Sequence, residues 1–230
     1  MKKKAITIIS ILVIIFIGII VLYTINNDNK ITNDEKKFKK EYESLNTKKT
    51  SSNKKYLSLD IPKQNNIKYL TAKETIKKLK KGTSIIYFGF PECPWCRNLV
   101  PTLLKTNKEY NMTIYYFNAL SIRDNKHLSK DGKIITDKKG TKEYYEIVKL
   151  LQDFLPSYEG LNDESIKRLY FPTVVFVKDG EVIAIHTGTI EEQKDPYKKL
   201  TKKQEKKLEN KLEEYFDEIS NGVCEKDAKC

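Results

Sequence analysis

The feature that most constrains this chain is Cys93-Pro94-Trp95-Cys96, because of what stands on either side of it. The preceding run Ser84–Phe88 is short and rich in β-branched and aromatic residues, which predicts a buried strand. Residues 97–105 repeat apolar side chains at helical spacing, so both cysteines fall in the first turn of a helix. Unpaired N–H groups and the positive end of the helix dipole favour a thiolate there. The pKa of such thiols typically falls from about 8.5 to between roughly 3.5 and 7.5. We interpret the pair as a redox-active dithiol, able to close into a disulfide, in which Cys93 attacks and Cys96 resolves.

The same cysteine spacing also occurs in half of a zinc site. A structural zinc ion needs four ligands, and so a second pair at a suitable distance. Cys224 and Cys230 lie far away at the C-terminus, and His127 and His186 form no ligand spacing. The sequence therefore predicts no metal and no cofactor.

The net charge of +12 arises mainly from lysines that are scattered along the chain. There is no arginine-rich cluster and no interleaving of aromatic and basic residues of the kind that binds nucleic acid. We interpret the lysines as solvated surface, with some attraction to anionic surfaces. Nucleic acid is not an expected partner.

The N-terminus has the pattern of a membrane anchor. Residues 1–4 carry three lysines and residues 5–25 are almost wholly apolar, a run long enough as a helix to cross a hydrocarbon core of about 30 Å. A cleaved signal peptide would have a shorter apolar core of roughly 7–15 residues and a small-x-small cleavage site. We predict an uncleaved single-pass anchor in the cell membrane, with residues 1–4 inside and the rest outside the cytoplasm, where disulfides persist.

Residues 26–66 are polar and rich in lysine, asparagine and serine. We predict a stalk that holds the domain off the membrane and contributes little to the core. Phe38, Tyr42 and Leu45 have helical spacing, so the stalk can contain a short helix.

Residues 67–221 are predicted to form the folded domain. A capping box at Thr71 and Glu74 opens a helix, and two β runs around Asp179-Gly180 predict a hairpin. Apolar patterning adds strands at 67–70 and 112–117 and helices at 94–110, 141–154, 163–169 and up to about Gly222. The order is β-α-β-α-β, an α insertion, then β-β-α.

These motifs together resemble the thioredoxin superfamily. Pro101 stands inside the helix five residues after Cys96, and residues 168–174 are similar to the family's segment that ends in a cis-proline followed by threonine. Residues 176–182 resemble its last hairpin, and Gly188 stands where a family glycine follows. The resemblance covers roughly residues 67–219. A weaker one is to thioredoxin-like accessory proteins of bacterial bacteriocin systems.

The resemblance implies a thioredoxin-like three-layer α/β/α sandwich with a helical insertion at about 121–160. It also implies that Pro172 is cis, faces the disulfide and shapes a groove for a substrate strand. We expect Pro94, Trp95, Phe171 and Pro172 to contact the substrate. The insertion either covers the dithiol and sets specificity or packs as an extra helix.

Two positions depart from the family. Tyr87 replaces a buried acid that handles the proton of the resolving thiol, which leaves the proton route open. Glu92 replaces the aromatic residue before the first cysteine, and a neighbouring carboxylate is expected to raise the pKa of Cys93.

The cysteines at the C-terminus, Cys224 and Cys230, lie in the tail at 222–230. Outside the cell the simplest interpretation is a structural disulfide between them. The alternative is a second exchange pair that passes electrons to or from Cys93 and Cys96.

The sequence predicts a membrane-tethered thiol–disulfide oxidoreductase that acts on protein or peptide substrates and exchanges electrons with a membrane redox partner. Because the two residues between the cysteines tune the potential widely, the direction of electron flow stays open. One alternative is a non-catalytic accessory protein that binds an exported peptide or its transporter. A copper carrier is the other, although no segment is rich in methionine or histidine.

Overall fold

The centre of the domain is a mixed five-stranded sheet in the order β1-β3-β2-β6-β7. This computed structural model describes residues 31–220, and the unit discussed here begins at Asp34. Strands β1 and β2 run parallel to β3, whereas β6 is antiparallel to β2 and to β7. The strands are β1 (Ile67–Tyr69), β2 (Ser84–Phe88), β3 (Ile114–Phe117), β6 (Thr173–Lys178) and β7 (Glu181–Thr187).

Five helices and a second hairpin complete the described part. The helices are α1 (Asn33–Glu43), α2 (Ala72–Lys80), α3 (Pro94–Tyr110), α4 (Lys142–Leu150) and α5 (Lys202–Ser220), and the hairpin consists of β4 (Asn125–Leu128) and β5 (Ile134–Lys138). The capping box is present at Thr71 and Glu74. The predicted hairpin turn is also present, with positive φ at Asp179 and Gly180, as a two-residue turn between twisted strands requires.

The sheet separates two hydrophobic cores because successive side chains of a strand point to opposite faces. Ile85 and Tyr87 of β2 join the core that α1, α3 and α5 cover. Ile86 and Phe88 join the core that α2 and α4 cover. This arrangement is the predicted sandwich of helix, sheet and helix layers.

The N-terminal segment is part of the first core and not a stalk. Phe38 and Tyr42 of α1 are 0% exposed, and Leu59 and Ile61 are also buried there. The predicted helix around Phe38 is present. The prediction that this segment contributes little to the core is wrong for residues 31–66. The segment is polar on average, but four of its apolar residues, Phe38, Tyr42, Leu59 and Ile61, lie in this core.

Polar side chains fix the path of this segment back to β1. One carboxylate oxygen of Glu35 accepts hydrogen bonds from the backbone N–H groups of Asn65 and Asn66, at 2.9 Å each. Glu43 accepts another from the N–H of Ile61 at 2.8 Å. Buried backbone donors need such acceptors where no strand pairs with them.

The insertion is only partly helical, which corrects the prediction for 121–160. Its first part is the hairpin β4–β5, and α4 follows. The strands of this hairpin are mostly polar and β5 is exposed throughout, so no apolar alternation marks them. The sequence feature that could have indicated this hairpin was Lys130-Asp131-Gly132. It has the same three residues as the correctly predicted turn at 178–180.

The helix predicted at 163–169 is absent. This stretch turns back so that Ser157 pairs with Lys167 as an isolated bridge, and the N–H of Tyr158 donates to the carbonyl of Ile166 at 2.7 Å. Leu169, an apolar residue of this stretch, lies in the second core.

Two predicted segments lie outside the described residues, namely 1–25 with the anchor and the tail at 222–230. Within 31–220, no helix has both the length and the apolar character needed to cross a bilayer.

Replacing Phe38 with alanine tests whether α1 belongs to the core. We expect the free energy of unfolding to fall by roughly 3–5 kcal/mol, the usual cost of truncating a buried phenylalanine. Urea denaturation measures it. Lys36→Ala, at an exposed position of the same helix, is the control and should stay within about 0.5 kcal/mol. Equal effects of the two changes would contradict the placement of α1.

His186 of β7 should make the fold sensitive to acid. Burial lowers the pKa of this histidine to about 4, below its usual value near 6.5. The unfolded chain therefore binds a proton between these values that the folded chain does not, so stability is complete above about pH 6.5 and is lost as the pH falls. The loss should reach roughly 3 kcal/mol near pH 4.

Urea denaturation of His186→Asn at pH 7 and pH 4.5 isolates this contribution, because the variant should lose less stability on acidification than the parent. His127→Asn, at the exposed histidine of the β4–β5 hairpin, is the matched control. An equal acid loss in parent and His186→Asn would show that His186 is not the group that titrates.

Candidate active site

The dithiol lies where β2 passes into α3. Cys93 is the N-cap residue of α3, and its sulfur accepts a hydrogen bond from the backbone N–H of Cys96 at 3.2 Å. Pro94 follows in the first turn, where its missing N–H has no cost. Gly89 precedes the turn because a Cβ at this position would lie 2.1 Å from the hydroxyl of Tyr87.

Cys93 has the lower pKa of the two thiols. Its pKa lies below the ordinary value of a thiol, mainly because the Cys96 thiol donates a hydrogen bond to its sulfur, although burial opposes this. The N–H groups of Cys96 and Trp95 and the charge of Arg123 lower the pKa further. When protonated, the Cys93 sulfur can donate to the carbonyl oxygen of Phe171, 3.6 Å away.

Cys96 has the opposite character. It is 0% exposed, and burial raises its pKa well above the usual value, an effect that the neighbouring Cys93 increases. Of the two thiols, Cys93 is therefore the one that loses its proton first. An attacking Cys93 and a resolving Cys96 require this order of the two pKa values.

Tyr87 extends from β2 beneath the dithiol turn and is 0% exposed. Its hydroxyl group lies 2.8 Å from the hydroxyl of Tyr42, which comes from α1. It also hydrogen-bonds the Cys96 sulfur, and this contact lowers the Cys96 pKa against the larger effect of burial. Burial raises the pKa of both tyrosines well above 10. The position of the family's buried acid is thus held by a neutral phenol that can donate a hydrogen bond.

Pro172 directly precedes β6 and follows Phe171, whose carbonyl oxygen lies 3.6 Å from the Cys93 sulfur. The Phe171–Pro172 peptide bond is cis, the isomer that the family resemblance implies. The carbonyl oxygen of Pro172 accepts a hydrogen bond from the N–H of Gly188 at 2.9 Å, so β7 helps to hold the segment. The ring of Phe171 packs edge-on against Phe90, with centroids 5.4 Å apart.

A groove of about 980 Å³ opens beside the dithiol. Trp95 and Phe171, two of the predicted substrate contacts, line it together with residues of β7 and α5. The other two, Pro94 and Pro172, are not among its lining residues. The groove is thus continuous with the dithiol turn but extends mainly toward α5.

The expectation for Glu92 is wrong, because the pKa of Cys93 is lowered and not raised. Glu92 is exposed. Its charge acts on Arg97, whose pKa is lowered by burial and raised in part by that charge.

Arg97 is a residue of the site to which the sequence assigned no role. It is 1% exposed, and its guanidinium group donates hydrogen bonds to the backbone carbonyls of Leu57, Tyr42 and Pro91. The side chain of Asn46 accepts another at 2.9 Å. The sequence feature that could have pointed to Arg97 was the rarity of arginine, because only three of the 43 basic residues are arginines.

Residues 31–220 contain no cluster of three or more histidine, cysteine or acidic side chains that could hold a metal ion. His127 instead pairs with Asp137 across the β4–β5 hairpin at 2.8 Å. The cysteine pair of the tail lies outside the described residues.

Solved thioredoxins are similar to the chain. One is thioredoxin O2 from Arabidopsis thaliana in the oxidized state, which is 18% identical over 54% of this chain and 84% of the thioredoxin, with a TM-score of 0.32. Another is a thioredoxin from Aeropyrum pernix, which is 20% identical over 53% of this chain and 74% of that protein, with a TM-score of 0.30. The first two thioredoxin domains of Saccharomyces cerevisiae Eps1p are 21% identical over 54% of this chain and 36% of that chain, with a TM-score of 0.27. No protein-family model matches the chain, and no curated protein matches it significantly.

Tyr87→Phe removes the hydroxyl group that hydrogen-bonds Cys96. We expect the pKa of Cys96 to rise by about one unit, since a hydrogen bond to a charged group contributes about 1.5 kcal/mol or more. The titration of Cys96 can be followed by the ¹³C chemical shift of its Cβ in a protein that also carries Cys93→Ser, Cys224→Ser and Cys230→Ser.

Tyr144→Phe is the control, because Tyr144 is equally buried but belongs to the core on the other face of the sheet. It should leave the Cys96 titration in place. A Cys96 pKa that moves equally in both variants, or in neither, would remove Tyr87 from the proton chemistry of the site.

Proposed function

We propose that this protein is a thiol–disulfide oxidoreductase of the thioredoxin type that acts on disulfides of protein or peptide substrates. We propose further that residues 5–25 tether it to the cell membrane with the dithiol outside the cytoplasm. A membrane redox partner would then exchange electrons with it. The observation that carries the proposal is the opposite displacement of the two thiol pKa values beside a cis-proline and an open groove.

In the reducing direction, the Cys93 thiolate attacks one sulfur of a substrate disulfide. The substrate S–S bond breaks, the second substrate sulfur leaves as a thiolate, and Cys93 becomes part of a mixed disulfide. Cys96 then loses its proton and attacks the Cys93 sulfur, which releases the remaining substrate thiolate. Two electrons pass to the substrate and the protein is left with a Cys93–Cys96 disulfide. Oxidation of a substrate dithiol follows the same steps in reverse.

The surroundings of each sulfur fit its step. The lowered pKa of Cys93 makes its attacking thiolate easier to form. Cys96 is buried as a thiol and becomes nucleophilic only when a mixed disulfide stands next to it. The Tyr87 hydroxyl can then donate a hydrogen bond to the thiolate that forms.

The reduction potential of Cys93–Cys96 tests the proposal directly. With Cys224 and Cys230 changed to serine, the dithiol should exchange with glutathione as a two-electron couple. A potential near −120 mV would make it an oxidant, and one near −270 mV a reductant, by comparison with known couples. If glutathione cannot cycle the pair, the enzyme proposal fails and a binding role for the groove becomes the better account.

Single-cysteine variants distinguish the two sulfurs. In the same background, Cys96→Ser should react with an aromatic disulfide reagent and keep the mixed disulfide on Cys93. Cys93→Ser should react about tenfold or more slowly, because its remaining thiol is buried and its pKa is raised. Release of the thiolate chromophore measures both rates. Equal rates would contradict the assigned roles.

A further inference from the structure

Arg123 lies in the loop between β3 and β4. Its guanidinium carbon lies 4.8 Å from the centroid of the Phe171 ring. Phe171 is also the residue whose carbonyl oxygen lies 3.6 Å from the Cys93 sulfur. The insertion thus brings a cation next to the residue that contacts the reacting sulfur.

The loop holds Arg123 in place through its backbone. The N–H of Arg123 donates to the carbonyl of Ala119 at 3.0 Å, and the carbonyl of Ile122 accepts from the N–H of Thr141 at 3.0 Å. Ala119 is fully buried, and Thr141 is the N-cap of α4. The position of the guanidinium is therefore tied to the second core.

We propose that Arg123 is the electrostatic partner of the Cys93 thiolate, and that the insertion at 121–160 sets the redox behaviour of the dithiol by supplying this charge. The inference rests on the proposed function and deepens it. It gives the insertion a chemical role that neither a passive spacer nor an extra packed helix would have.

The groups around Cys93 divide into neutral and charged ones. Hydrogen bonds from Cys96 and Trp95 lower its pKa first, and the charge of Arg123 lowers it further. The titratable groups on the core side, Cys96 and Tyr42, have raised pKa values because they are buried, so they stay neutral. Arg123 is half-buried, where water and salt screen its charge less than they would at an exposed site.

The side chain suits this task better than a lysine would. A guanidinium group stays charged at all relevant pH values and stacks flat on an aromatic ring, which holds it in place. Burial lowers the pKa of Arg123, and repulsion from Arg168 lowers it further. Arg168 itself stacks on Tyr158, 3.9 Å from the ring centroid. Asp124, next to Arg123 in the chain, raises the pKa of Arg123 in part.

The redox consequence has a definite sign. Arg123 stabilises the reduced protein, which carries the thiolate, but it has no such charge to stabilise when Cys93 and Cys96 form a disulfide. Stabilising the reduced form makes a dithiol more oxidising. Loss of the charge should therefore make the couple more reducing, and a tenfold change in its equilibrium constant corresponds to about 30 mV.

The test is a titration of the reduced protein that carries Cys224→Ser and Cys230→Ser, followed by thiolate absorbance at 240 nm. We expect Arg123→Gln to raise the midpoint of Cys93 and so to lower the thiolate fraction at every pH below the midpoint. Arg123→Lys should recover part of the shift. The reduction potential of Arg123→Gln should be more negative than that of the parent.

Arg168→Gln is the matched control, because it also removes an arginine that stacks on an aromatic ring near the site. Its effect on the Cys93 midpoint should be clearly smaller. A midpoint that does not move in Arg123→Gln, or that moves as far in Arg168→Gln, would overturn the proposal. Melting temperatures of both variants show whether the fold is kept. The titration needs no redox partner, so it decides the role of Arg123 even if the dithiol cannot be cycled and the proposed function fails.

Discussion

The buried guanidinium group of Arg97 is the interaction on which the site depends. A guanidinium group has five N–H donors and no acceptor, so its burial is tolerated only when each donor has a partner. Here five hydrogen bonds lead to Leu57, Tyr42, Pro91 and Asn46. They join the first turn of α3, the turn that precedes the dithiol and the N-terminal segment. Removing this side chain would leave the backbone carbonyls of Pro91, in the turn before the dithiol, and of Tyr42 and Leu57, in the N-terminal segment, without this donor.

Because of this connection, Tyr42 lies close enough to Tyr87 for their hydroxyl groups to bond. The dithiol therefore lies between two different surroundings. Cys96 lies near neutral phenols in a closed core, whereas Cys93 lies next to the carbonyl of Phe171 and is acted on by the charge of Arg123. A low dielectric penalises charge on the first sulfur, and a nearby positive charge favours it on the second. The asymmetry of the two thiols arises first from hydrogen bonds and burial within the Cys-Pro-Trp-Cys motif, and residues of the segments on either side of the sheet add to it.

What could be predicted from the sequence follows from short-range chemistry. The helix at 94–110, the capping box at Thr71 and the turn at Asp179-Gly180 each depend on residues within a few positions, and they were predicted correctly. The predictions that were wrong depend on how residues far apart in the sequence are arranged in space. Glu92 was expected to act on Cys93 because it is adjacent in the chain, but the charge that acts is Arg123, thirty residues further on. The core role of Phe38 was missed because the average polarity of a segment does not show on which side its apolar residues lie.

The use of arginine fits this account. The chain carries forty lysines and three arginines, so an arginine is an uncommon choice here. All three occur around the dithiol: Arg97 within its helix, Arg123 against Phe171, and Arg168 near the segment that leads to Pro172. An ammonium group could supply the charge in each place, but it has neither the five-donor geometry that Arg97 uses nor the flat face that stacks on Phe171 and Tyr158. The geometry of the guanidinium group, more than its charge, explains why lysine does not stand at these positions.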